Sequence, residues 1–302
     1  MADPTPVFDD LRAESAELDR LVAELEPSGW ALRTPAPGWT VAHQIAHLAW
    51  TDRSALLAVT DADAFRSVAE KALAAAETFV DEAAQEGARL APEELLSGWR
   101  QVRAALDRAL RAAPAGARFP WFGPPMSAAG VATGRIMETW AHGQDVADAL
   151  GVVRTPTDRL RHVVRIGVRA RDFAFGAHGL PAPAEEFRVA VVGPSGEVWA
   201  YGPEDAAQRV TGPAVDFCLL VTQRAHRADL AVRAEGPDAD RWLDIAQAFA
   251  GPPGAGREPG GGQGEGRKGR KGGPENGQEN GQGDGQGDGQ GDGPEDGRGA
   301  RS

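Results

Sequence analysis

The sequence holds a single cysteine, Cys218, among 302 residues. One thiol excludes a disulfide framework and any multi-cysteine zinc site built within one chain. Cys218 lies in the apolar run Phe217-Cys218-Leu219-Leu220-Val221, where a small packed core residue is expected rather than a nucleophile. No run approaches the ~20 apolar residues of a membrane span, and the first residues lack the apolar core of a signal segment. A cytoplasmic protein without a membrane partner is the expectation. Positive charge is also short, with 32 Lys and Arg against 44 Asp and Glu and a net charge of −12. A surface of that sign offers no broad basic face, so nucleic acid is not an expected partner.

Large apolar side chains are missing altogether after Phe249, apart from proline. Residues 251–302 hold 21 of the 39 glycines and three Gly-Gln-Gly-Asp repeats at 281–292. Such a segment has nothing to bury against the entropy of ordering it, so its composition predicts a disordered low-complexity tail. The first 250 residues remain for folded structure.

What is present in the first 150 residues is helical periodicity. Phe8, Leu11, Leu18, Val22 and Leu25 fall on one stripe that ends before Pro27. Thr40 is placed to cap a second helix running to about residue 59. An Ala- and Glu-rich stretch over 63–87 reads as one peripheral helix. Pro92 sits at the first position of the next, whose stripe is Leu95, Trp99, Val102, Leu106 and Leu110. After an aromatic loop at 114–126 (Phe119, Trp121, Phe122), Ser127 caps a long helix that Gly151 stops. Four main helices with one extra predict an antiparallel bundle over 1–152. From 153 the pattern changes to a helix over 157–176, then a β-hairpin through the Gly193-Pro194-Ser195-Gly196 turn and a short strand over 205–212. A helix over 213–224, a strand over 228–234 and a closing helix over 237–249 complete the pattern. The fold class expected is α+β: a four-helix bundle (1–152), a smaller α+β module (153–250) and the tail (251–302).

Two stretches carry candidate chemistry, Trp39-Thr-Val-Ala-His43-Gln-Ile-Ala-His47 and Glu138-Thr-Trp-Ala-His142-Gly-Gln-Asp145. In the second helix Val41, Ile45 and Leu48 share one face, while His43, His47 and Trp50 share another. A helix apolar on two sides is buried on two sides, so the histidines point into packed surroundings. In the long helix Glu138, His142 and Asp145 interrupt an otherwise apolar stripe. Buried ionisable groups are costly unless paired or bound to a metal. The i,i+4 spacing lets Glu138 and His142 reach one ion, and His47 is the best third ligand from another helix. Two imidazoles and a carboxylate leave a fourth position open, as in catalytic rather than structural zinc sites. Asp145, one turn beyond His142, is placed to orient an imidazole N–H. Satisfied core polar residues are the competing reading of the same stripe. Arg135 reads either as a binder of a substrate acid group or as a salt-bridge partner.

Trp39-Thr40-Val41 with His47-Leu48, together with Glu138-x-x-x-His142-x-x-Asp145, resembles the DinB-like metal-binding bundle of the mycothiol-dependent maleylpyruvate isomerase type, over about residues 5–150. The segment Val210–Arg224 resembles that family's C-terminal α+β module, itself similar to sterol-carrier folds. The resemblance implies metal ligands at His47, Glu138 and His142; His43 departs from the family pattern and is open as a contact to the metal, its ligands or the substrate, or as a hydrogen-bonded core histidine. At His43 relatives often carry an acidic residue. It implies a divalent metal, usually Zn²⁺, and mycothiol or a similar low-molecular-weight thiol acting with a small-molecule substrate in isomerase or S-transferase chemistry. A metal-dependent hydrolase, a non-catalytic metal-binding or sensor protein, and a lipid carrier module are the alternatives.

Overall fold

The computed structural model describes residues 4–75, 78–251, 253–254 and 256–260. Helix α1 (Thr5–Val22) buries Phe8, Leu11, Leu18 and Val22, the stripe read from spacing. One turn, α2 (Pro27–Trp30), drops Trp30 into the core. Helix α3 (Val41–Thr60) starts at Thr40, in a capping box whose return partner is the His43 side chain. The stretch expected as one helix over 63–87 is two, α4 (Ala62–Ala74) and α5 (Phe79–Gly87). They bury only Phe65 and Ala84, and with so little apolar surface to hold a long rod straight the chain turns instead. Gly87 lets α5 press onto α3, since a Cβ there would lie 2.7 Å from the Cβ of Ala46.

Helix α6 (Pro92–Ala112) opens on proline. A two-stranded ribbon, β1 (Arg118–Phe119) with β2 (Met126–Ser127), carries the aromatic loop. Helix α7 (Ala128–Leu150) is capped by the Ser127 side chain, which accepts from the Gly130 amide, and ends at Gly151 in the left-handed region (φ 66°). Helices α1, α3, α6 and α7 enclose two apolar clusters, one around Leu18, Ile45, Leu48 and Trp99, the other around Phe8, Leu106, Leu110 and Ile136.

Beyond α7 the expected helix over 157–176 is broken at Ala170 into α8 (Leu160–Arg169) and α9 (Arg171–Ala177). Strands β3 (Phe187–Val192), β4 (Val198–Tyr201), β5 (Gln208–Pro213) and β6 (Arg233–Glu235) form one sheet in the order β4-β3-β5-β6. β3 pairs antiparallel with β4 and parallel with β5, and β6 closes the other edge antiparallel. The strand expected over 228–234 is shorter, because a 3₁₀ turn at Arg227–Asp229 takes its first residues. Helices α10 (Ala214–Val221) and α11 (Pro237–Ile245) cover the sheet with α8. Cys218 lies fully buried there; burial pushes its thiol well up, which leaves it a packed neutral group.

Three residues of α7, Met137, Trp140 and Ala141, belong to the same apolar cluster as the sheet layer. Arg154 and Arg159, just past α7, pair with Glu14 and Glu17 of α1. The bundle and the sheet layer therefore pack as one compact unit. The tail expected over 251–302 lies outside the described residues from 261 onward. Its first residues do not behave as the composition suggests, because Arg257 pairs with Asp145 of α7. No described helix is long and apolar enough to cross a membrane.

Candidate metal centre

Helices α3 and α7 run antiparallel, so that residue numbers rise on one as they fall on the other: Gln44 meets His142, His47 meets Glu138, and Asp52 meets Arg135. The last pair is a buried ion pair at 2.8 Å, and Trp99 of α6 donates its indole N–H to the same Asp52 carboxylate at 3.0 Å. Arg135 is thus a salt-bridge residue, fully buried through its Nε contact with Asp52. This clamp fixes the register of three helices little more than a turn from His47.

At that register His47, Glu138 and His142 converge. One donor atom from each lies within 4.8 Å of the others. The carboxylate Oε2 of Glu138 stands 3.1 Å from His47 Nε2 and 3.3 Å from His142 Nε2. The two imidazole rings are 4.4 Å apart between centroids. Burial acts to raise the Glu138 carboxyl, but the hydrogen bonds from His142 and His47 outweigh it and hold the group well below its ordinary range. Burial and then the neighbouring His47 charge pull His142 down to about 4, against the opposing pull of Glu138. At neutral pH His142 is therefore an uncharged imidazole with one lone pair.

Which nitrogen carries that lone pair follows from a hydrogen-bond chain. The Trp39 carbonyl can only accept, so Thr34 Oγ1 donates its one proton to it (3.0 Å). Thr34 Oγ1 then accepts from Gln44 Nε2 at 2.9 Å. This turns Gln44 Oε1 toward His142, whose Nδ1 lies 2.6 Å away and must donate. In the neutral ring the lone pair is left on Nε2, facing Glu138 and His47, so the Nε2 hydrogen bond that lowers the Glu138 carboxyl belongs to the protonated ring, below about pH 4. Such an outer contact on the far ring nitrogen orients a ligating histidine and fixes its tautomer. His47 lacks one: its Nδ1 is buried without a protein partner among the described residues.

Aromatic rings wall the triad. Trp39 stacks on His142 (5.9 Å, 20°) and also lies 5.3 Å from His47. Its indole N–H is held by Asp81 of α5 at 2.9 Å. Trp50 follows His47 at 5.9 Å and touches Phe79 and Phe122, so the aromatic loop does reach this wall through Phe122, while Phe119 is buried in the bundle.

The two residues expected to support the ligands sit elsewhere. His43 Nδ1 lies 2.8 Å from Thr40 Oγ1 and Nε2 lies 3.2 Å from Gln85, so the ring serves the start of α3 and its contact with α5. Asp145 is fully buried between two guanidiniums, Arg224 Nη2 at 2.8 Å and Arg257 Nη2 at 2.7 Å, and the Nδ1 contact of His142 goes to Gln44 instead. Gln44 carries no charge that would flag it in the sequence. Its place one turn before His47, on a helix with two inward faces, was the available signal.

A family model described as the mycothiol maleylpyruvate isomerase N-terminal domain matches residues 11–147, a span that contains all three converging residues. The segment 11–147 belongs to this domain family. A second model, described as wyosine base formation, matches residues 183–235, which include the sheet and none of the triad. Two uncharacterized proteins of Mycobacterium tuberculosis, from strains CDC 1551 and H37Rv, are each 60% identical over 257 residues, covering 85% of this chain and all of the relative. The crystal structure of the mycothiol-dependent maleylpyruvate isomerase superposes with a TM-score of 0.55 at 18% identity, covering 78% of this chain and 96% of that one. A histidine-to-alanine variant of that enzyme gives 0.53 at 19% over the same shares. At these identities the likeness is one of fold.

Proposed function

We propose that His47, Glu138 and His142 hold a divalent cation, Zn²⁺ first, and that the chain uses it with a low-molecular-weight thiol of the mycothiol kind in isomerase or S-transferase chemistry. The convergence of two imidazole nitrogens and one carboxylate oxygen from helices 91 residues apart in sequence carries this reading. The donor set fits: N, N and O ligands with a further position open suit zinc in a catalytic site. One carboxylate against a dication leaves a net positive centre. When bound, such a cation lowers the pKa of a thiol beside it and favours the thiolate.

The protein's own residues supply the rest. Glu138, whose carboxyl is held well below its ordinary range, offers the cation a carboxylate oxygen. Gln44 keeps the His142 proton on Nδ1 and its lone pair inward. Trp39 and Trp50 cover the imidazoles and limit water beside them. The family match supports the thiol and a small-molecule substrate as partners. Hydrolysis through an activated water would use the same open position, and a non-catalytic metal carrier would use none.

Metal content of the purified full chain, beside His47→Ala and Glu138→Ala, tests the ligand set: one equivalent in the parent and a loss in both variants is expected. Calorimetric titration of the metal-loaded chain with mycothiol or cysteine then separates a thiol enzyme from a carrier. Thiol affinity that depends on the metal supports the first, and an intact metal site with no thiol affinity removes it.

A further inference from the structure

The residues just past the sheet layer carry a contact that their composition conceals. Residues 253–254 and 256–260 are Gly, Pro, Arg and Glu, yet Arg257 is buried to all but 15% of its side chain. Its guanidinium makes two bonds in different directions. Nη2 donates to Asp145 Oδ1 of α7 at 2.7 Å, and Nη1 donates to the Pro35 carbonyl in the loop before α3. Further along, the Gly260 amide donates to Asp229 at 2.8 Å, which anchors the segment on the sheet layer as well.

The Pro35 loop is the one that carries Trp39. It is closed by the Thr34 amide on the Trp39 carbonyl (2.9 Å), by the Trp39 amide on the Ala36 carbonyl (3.1 Å) and by a bridge between Arg33 and Thr40. Its inner side is tied to His142 through Thr34 and Gln44, and its outer side is tied to α7 through Arg257. Asp145, the α7 end of that tie, lies one turn past His142 and is itself fixed by Arg224 on its other oxygen.

We propose that Arg257 is a positioning residue for the His47–Glu138–His142 centre: its planar fork joins the Pro35–Trp39 loop to α7 and so holds the Trp39 indole over both imidazoles. A guanidinium suits this task because its N–H groups sit in a fixed plane and can satisfy a carbonyl and a carboxylate together. An ammonium in its place would keep the charge beside Asp145 and lose the fixed span. The loop-holding part of the proposal does not depend on the metal, while the consequence for metal exchange rests on the reading above.

Hydrogen exchange followed by mass spectrometry on the full-length, metal-free chain tests it. In Arg257→Gln, amides of residues 33–40 should exchange about 5-fold faster or more, with helix α6 unchanged as the control for overall folding. Arg257→Lys should show the same acceleration, because charge alone does not rebuild the span. In the zinc-loaded chain both variants should bind one equivalent but release it to a chelator about 10-fold faster, as a less shielded site does. Unchanged exchange of the loop in Arg257→Gln, or parent-like exchange in Arg257→Lys, overturns the proposal. If the parent chain retains no zinc, the metal reading fails and the loop result still decides this one.

Discussion

Gln44→Leu keeps the volume of a fully buried side chain yet removes the acceptor that fixes the Nδ1 proton of His142. Without it either ring nitrogen can carry the proton, and half of the arrangement aimed at Glu138 is lost. Zinc affinity should fall about 10- to 100-fold, measured by competition with a chelator, with the helical circular dichroism unchanged. A second prediction concerns pH. His142 is drawn from 6.5 down to about 4 on folding, so between those values the unfolded chain binds a proton that the folded chain refuses. Stability of the metal-free protein should therefore rise with pH through that window and be lost as pH falls through it. The melting temperature should drop between pH 7 and pH 5, and His142→Gln should flatten that slope. The triad was legible in the sequence because Glu138 and His142 share a stripe at i,i+4 and His47 lies on an inward face. The roles of Asp145 and His43 were not, because spacing places a group on a face without naming its partner. For Asp145 two arginines compete better than an imidazole, and for His43 the nearest need is the N-terminus of its own helix.

Among the elements, the α3–α7 register rests on the Asp52–Arg135 pair and the Trp99 indole N–H that shares its carboxylate. Asp52→Ala would leave the Arg135 guanidinium uncompensated in the core, at a cost of about 3–5 kcal/mol. Urea unfolding should show this as a lower midpoint. Asp52→Asn, which retains an acceptor for Trp99, should lose less. Element existence was readable wherever a cap and a stripe agreed, as at Thr40, Pro92, Ser127 and Gly151. The breaks near 75 and at Ala170 were not. Neither site holds a proline or glycine, and the turns follow from which face each half can bury, a tertiary choice that local pattern does not record.

For the whole molecule, composition located the change of character beyond α7 but not how tightly the two parts engage. Trp140 and Met137 of α7 pack into the sheet layer, and Arg154 reaches the buried Glu14 of α1. The same blindness hid Arg257, since a single charged residue among glycines and prolines has no signature until its partners are placed. A chain ending at Gly260 should melt with the full-length protein, because residues 261–302 offer no apolar side chain larger than Ala apart from proline. A chain ending at Ala250 lacks Arg257, so Asp145 keeps only Arg224, and its melting temperature should be lower. The most direct measurement of the central claim is zinc K-edge X-ray absorption on the full chain loaded with one equivalent. Two imidazole nitrogens and one carboxylate oxygen at about 2.0–2.2 Å, with a further light-atom ligand that a thiol displaces as sulfur at about 2.3 Å, is the expected result. A spectrum without imidazole scattering, or one unchanged in Glu138→Ala, would contradict it.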